Sequence, residues 1–147
     1  MEVGVVIVDD EAVDRMITRK RFERSHYSTV FLPINEAETG EEFLERVKNH
    51  DELKGKRSLV LMDVNMPGMN GFETIAELQK HFDESAAEDC SVVMIFTSSE
   101  NHEDIERAKA LPLVADYLVK PLTENDIARI FHIFSELQYE EEQRKAS

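Results

Sequence analysis

Cysteine occurs once in the 147 residues, at Cys90, so no internal disulfide can form and a reducing compartment is expected. Long apolar runs are missing too. None approaches the roughly 18 residues needed to cross a bilayer, so membrane insertion is not expected. The first apolar run begins at Val3, which leaves no room for a signal peptide, and a cytoplasmic location is expected. Basic charge is scarce: 17 Lys and Arg stand against 31 Asp and Glu, for a formal net charge of −14. A field of that sign repels nucleic-acid backbones, so direct nucleic-acid binding is not expected. The one dense basic cluster, Arg19, Lys20, Arg21 and Arg24, falls in an expected helix and reads as a solvated face. The histidines (His26, His50, His81, His102 and His132) show no metal-ligand spacing.

What is present is a globular composition, 41% apolar and 33% charged, in a chain long enough for one substantial core. Short apolar runs alternate with segments of helical periodicity, the pattern of an α/β protein built from βαβ units. The runs are VGVVIV (3–8), LVLM (59–62), VVMIF (92–96) and ADYLV (115–119), with a further strand expected at about 29–34. Their consecutive apolar residues suit parallel strands covered on both faces. Pro33 places the second strand at an edge.

A first helix is expected over 11–26, where Val13, Met16, Ile17 and Phe22 sit among charges. Thr39 followed by Glu42 forms a capping box ahead of Phe43, Leu44 and Val47. Residues 48–58 read as loop with some helical extension, and 71–82 as a helix with Phe72, Ile75, Ala76 and Phe82 inward. The polar stretch DESAAEDCS then leads into the fourth strand. A weaker helix, about 101–111, offers Ile105, Ala108 and Leu111. In the last helix Thr123 caps a stripe of Ile127, Ile130, Phe131, Phe134 and Leu137, and EEEQRKAS beyond it is expected to fray. Right-handed crossovers with an edge second strand give the order 2-1-3-4-5.

Four of the apolar runs end on residues able to handle a phosphoryl group: Asp9 and Asp10, Asp63, Thr97, and Lys120 before Pro121. In a parallel sheet these ends share one edge, and strands one and three flank the switch point where open α/β sheets bind ligands. Three carboxylates in one crevice need a cation, and hard oxygen donors favour Mg2+, with Mn2+ as a substitute. Asp10 alone would serve equally as a helix cap; the trio together with Lys120 favours the metal. A carboxylate can also act as a nucleophile and form an aspartyl phosphate. Asp63 is the leading candidate, because its strand is central and VNMPGMNG after it turns sharply, bringing a backbone carbonyl near Asn65 toward the metal. Taken alone, Thr97 is equally a β-branched strand residue, and Tyr117 reads as a half-buried strand aromatic.

VDDEAVDR, MDVNMPGMNG, FTSS and DYLVKPLTE occur in that order, and with them the chain resembles a bacterial two-component response-regulator receiver domain of the single-domain, CheY-like kind. The resemblance covers residues 3 to about 138, leaving 139–147 as a polar tail. It implies a flavodoxin-like (βα)5 three-layer sandwich and a signalling role rather than an enzymatic one. Asp63 would be the phosphoacceptor, assisted by Thr97 and Lys120. Asp9, Asp10, Asp63 and the Asn65 backbone carbonyl would hold Mg2+, and Thr97 and Tyr117 would form a switch pair. It also implies a cis Lys120–Pro121 bond, and Ser99 and Asn65 at positions that tune self-dephosphorylation. Implied partners are a sensor histidine kinase or histidine phosphotransfer protein and a downstream protein target.

The chain departs from the family pattern in a longer Asp10-to-Asp63 spacing, in Val114-Ala115 where Gly-Ala is common, and in its poorly patterned fourth helix. Two other readings compete: a phosphorylation-independent binding module, and an aspartyl-phosphate phosphohydrolase. The second would want a general-acid Asp two residues past the nucleophile, where this chain has Asn65.

Overall fold

Along the first strand, β1 (Val3–Val8), Val3, Val5 and Ile7 face one way and Val6 and Val8 the other, and all five are buried. A strand apolar on both faces demands a layer on each side. The computed structural model, which describes residues 1–85 and 90–147, supplies both layers. β2 (Phe31–Ala37), β3 (Ser58–Met62), β4 (Ser91–Thr97) and β5 (Val114–Val119) complete a parallel sheet of order β2-β1-β3-β4-β5. Helices α1 (Ala12–Glu23) and α5 (Glu124–Ala146) cover one face through Phe22, Ile127, Ile130 and Phe134. On the other face α2 (Gly40–Asn49), α3 (Gly71–Glu84) and α4 (His102–Lys109) contribute Phe43, Phe72, Ile75, Leu78 and Ala108. This is the flavodoxin-like (βα)5 sandwich in the expected strand order.

Several local expectations are corrected. β2 starts later and runs to Ala37, and its pairing with β1 slips between Val3 and Val5, where Leu32 and Pro33 together oppose Gly4. That bulge at a sheet edge accommodates a residue with no N–H to donate. Both Leu32–Pro33 and Lys120–Pro121 are cis. A second slip, between Val93 and Met94, leaves Ala115 unpaired and exposed at the start of β5, where the sequence lacks the family's Gly-Ala.

α1 is shorter than 11–26 and is rotated away from its apolar residues. Val13, Met16 and Ile17 are exposed, while Arg15, Thr18 and Phe22 face inward. The Arg15 guanidinium sets this rotation. It donates to the Asp9 carbonyl at 2.7 Å and to Glu36 at 3.0 Å, and lies 3.5 Å from Glu38. Glu36 also accepts from Arg19 Nε at 2.8 Å. Burial alone would push the Glu36 carboxyl up, but the two guanidiniums overcome it and hold its pKa below the ordinary value. A depressed folded-state pKa contributes stability above the unfolded-state pKa, and that contribution disappears as pH falls through the folded value. Glu36→Gln is therefore expected to cost about 1–2 kcal/mol at neutral pH in urea unfolding. The gap to wild type should close on acidification below the usual glutamate range. A gap independent of pH would exclude Glu36 ionisation as its source.

Thr39 Oγ1 accepts from Glu42 N at 3.0 Å, but the Glu42 carboxylate returns to Glu38 N rather than closing the expected box on Thr39. α3 buries Leu78 and exposes Ala76, the reverse of the expectation at that position. Within 48–58, Leu53 plugs into the core between turns. In α4 only Ala108 is fully buried. Residues 86–89, the middle of DESAAEDCS, lie outside the described residues.

α5 begins at a complete capping box between Thr123 and Asp126 and then runs through the segment expected to fray. Glu141 on this extension forms ion pairs with Lys145, one turn on, and with Arg57, just ahead of β3. Leu137 is exposed rather than buried. Among the described residues no helix is long and apolar enough to cross a membrane.

Candidate functional site

The parallel ladder continues one step past the strands. Asp9 N donates to Ala37 O at 3.0 Å, Asp63 N to Val8 O at 2.9 Å, and Lys120 N to Thr97 O at 2.8 Å. The backbone of the strand-end residues is thereby fixed before any side chain is considered. β1 and β3 are neighbours, and the helices that follow them leave on opposite faces, so a crevice opens between their ends.

One carboxylate oxygen from each of Asp9, Asp10 and Asp63 lies within 4.8 Å of the others. Asp9 and Asp63 are buried and Asp10 is half-buried. Asp9 Oδ1 accepts from Glu11 N at 2.9 Å and Asp63 Oδ1 from Val64 N at 2.8 Å, which orients both carboxylates. Lys120 Nζ lies 2.5 Å from Asp9 Oδ2, 3.0 Å from Asp14 Oδ2 and 3.5 Å from Asp63 Oδ2.

Burial pushes the Asp63 carboxyl pKa up and the Asp9 charge adds to this, against the opposing Lys120 ammonium and Thr97 hydroxyl. Burial also works against the charged form of Lys120, but the Asp9 hydrogen bond and the Asp63 and Asp14 carboxylates prevail and its pKa is raised. The crevice is thus short of positive charge: one ammonium serves the Asp9, Asp14 and Asp63 carboxylates, and Asp10 stands beside Asp9 and Asp63. Converging hard oxygen donors with a charge deficit fit a divalent cation such as Mg2+ or Mn2+.

Thr97 is fully buried at the end of β4, and its hydroxyl accepts from Ser99 N at 3.4 Å. Tyr117 stands apart from the acidic cluster, half-buried on β5, and donates its hydroxyl to the Ser99 carbonyl at 2.7 Å. Burial raises its pKa. Asn65 is exposed two residues past Asp63, between buried Val64 and Met66, which anchor the loop. Gly68 takes a φ of +74° there, and an Asn70–Glu73 capping box starts α3. Gly71 packs α3 onto the strand end so closely that a Cβ would lie 2.1 Å from the Asp63 carbonyl oxygen.

Sequence reasoning missed two participants. Asp14 lies one helical turn past Asp10, the only sequence signal for its approach to Lys120. Arg15 carries no signal in the sequence that sets it apart from its charged neighbours, yet it braces the Asp9 backbone.

A profile of the response regulator receiver domain matches residues 5–132. The chain belongs to the response regulator receiver family. This receiver domain is 29% identical over 129 residues to the nitrate/nitrite response regulator protein NarL of Escherichia coli K12, a match covering 87% of this chain and 52% of that protein. The chain spans about half the length of the curated relatives it matches. Among solved structures, a two component response regulator from Cytophaga hutchinsonii superposes with a TM-score of 0.75 at 23% identity, covering 89% of this chain and 95% of that one. The Vibrio cholerae chemotaxis protein CheY4 gives 0.66 at 20%, covering 90% and 98%. At those identities the likeness shows the fold. Family membership makes the chain a response regulator receiver of two-component signalling.

Proposed function

We infer that Asp63 is the phosphoacceptor, taking a phosphoryl group from a phosphohistidine on a sensor histidine kinase or a histidine phosphotransfer protein. The observation that carries this is the gathering of Asp9, Asp10 and Asp63 oxygens within 4.8 Å beside the Lys120 ammonium. In the transfer an Asp63 carboxylate oxygen forms the new O–P bond as the donor's P–N bond breaks, its electron pair leaving on the imidazole. A divalent cation held by Asp9, Asp10, Asp63 and the Asn65 carbonyl would neutralise charge on the phosphoryl oxygens. Lys120 supplies a second cationic contact and Thr97 a hydroxyl. Val13, Met16 and Ile17 form an exposed apolar patch on α1 beside the crevice, bordered by Lys20 and Arg21, where the donor protein would dock.

Phosphorylation adds roughly −1.5 to −2 charge to the crevice. Thr97 moves toward the new oxygens, and Tyr117, freed from the Ser99 carbonyl, repacks the α4–β5–α5 surface for a downstream protein target. The receiver unit spans residues 1–138, with 139–147 as the polar continuation of α5. Incubation with acetyl phosphate and Mg2+ tests this reading by intact mass and by the Tyr117 ring resonances. One added phosphoryl group, absent in chelator, and a shift at Tyr117 are expected. No adduct overturns the assignment of Asp63, and an adduct with unmoved Tyr117 overturns the switch.

A further inference from the structure

Lys120 Nζ has three N–H bonds and three carboxylate neighbours, and it does not divide them evenly. Its close partners are Asp9 at 2.5 Å and Asp14 at 3.0 Å, while Asp63 stands at 3.5 Å, the outer limit of a hydrogen bond. Asp9 belongs to the strand-end cluster. Asp14 does not: it sits in the first turn of α1, with 40% of its side chain exposed at the crevice rim.

We propose that Asp14 is a positioning residue that holds the Lys120 ammonium on the α1 side of the crevice, so that an incoming phosphoryl group must win Lys120 from it. This rests on the reading of Asp63 as the acceptor. The consequence is physical. A phosphodonor meets an ammonium already satisfied by two carboxylates, and its oxygens gain Lys120 only as the Asp14 bond gives way. Asp14 therefore weakens capture of the donor and leaves the chemical step itself untouched. With acetyl phosphate, an Asp63 oxygen forms the O–P bond while the bond from phosphorus to the acetyl oxygen breaks. Acetate leaves with that electron pair, and no proton is transferred.

The test is a double-mutant cycle on the kinetics of phosphoryl uptake, followed by intact mass in Mg2+. Asp14→Asn is expected to lower the half-saturating acetyl phosphate concentration by about threefold to fivefold, with the saturating rate within about twofold of wild type. In a Lys120→Gln background the same substitution should change that concentration by less than about 1.5-fold, since there is no ammonium left to reposition. Thermal unfolding confirms that each variant is folded, and Asp14→Ser serves in place of Asp14→Asn should the latter not fold. An equal effect in both backgrounds overturns the inference in favour of simple charge repulsion at the rim. Uptake unchanged by loss of Asp14, or changed only in the saturating rate, overturns it as well. These outcomes leave the acceptor reading standing, whereas absence of any adduct on the wild-type chain removes both.

Discussion

Asp63→Asn is expected to abolish the phosphoryl adduct outright while leaving the folded protein more heat-stable in metal-free buffer. The amide keeps the shape of the carboxylate and can retain its bond from the Val64 N–H. It lacks the anionic oxygen that forms the bond to phosphorus. The stability change follows from the direction of the Asp63 pKa. Burial and the Asp9 charge raise it, with Lys120 opposing, so the folded state disfavours the ionised carboxyl. An acid with a raised folded-state pKa costs stability above its unfolded pKa, and the cost fades as pH falls through the folded value and is gone below the unfolded one. At neutral pH the neutral amide removes this cost, and a rise in Tm of about 2–5 °C is expected in chelator. Mg2+ should narrow or reverse the difference, because a ligand that binds the folded state stabilises the protein that binds it better. Thermal unfolding with and without Mg2+, together with intact mass, reads both effects. An adduct on Asp63→Asn at wild-type yield would move the acceptor to another residue.

Gly71→Ala has the largest expected effect on the scaffold. Its Cβ would stand 2.1 Å from the Asp63 carbonyl oxygen, 2.9 Å from the Asp63 carbonyl carbon and 3.1 Å from Val64 Cα. These are backbone atoms in a stretch already fixed by the Asp63 N to Val8 O and Gly71 N to Val64 O bonds, so no rotamer change can relieve the overlap. Either α3 moves off the sheet or the strand end carrying Asp63 shifts. The expected cost is about 2–4 kcal/mol in urea unfolding. Misplacement of Asp63 should also slow phosphoryl uptake by about 100-fold. Gly4→Ala is the control, since its Cβ would meet nothing closer than 3.8 Å. Comparable loss in both variants would show that glycine itself, and not the contact with Asp63, is what matters at position 71.

The sheet and the strand-end cluster were legible because both depend on short-range pattern. Consecutive apolar residues in VGVVIV and LVLM require cover on two faces, and a parallel sheet sends its strand ends to one edge. Asp9, Asp10, Asp63 and Lys120 accordingly meet. The rotation of α1 was not legible. Val13, Met16 and Ile17 look like a buried stripe, and only the Arg15 contacts with the Asp9 carbonyl and Glu36, one of them on another strand, turn that stripe outward. Asp14 went unread for the same reason, since its reach to Lys120 depends on that rotation. The end of α5 misled differently. A polar helix terminus frays unless something distant holds it, and the pairing of Glu141 with Arg57 joins residues far apart in sequence.

That last pairing also fixes a direction for handling the molecule. α5 starts beside the Lys120 edge of the sheet and ends near Arg57, which precedes β3 at the opposite edge. At 1.5 Å per residue its 23 residues make a rod about 34 Å long. A tether or dye attached through Ser147 would sit at the far pole from the acidic crevice. A chain immobilised through Ser147 should therefore present the phosphoryl-transfer edge outward, free to meet a partner in solution.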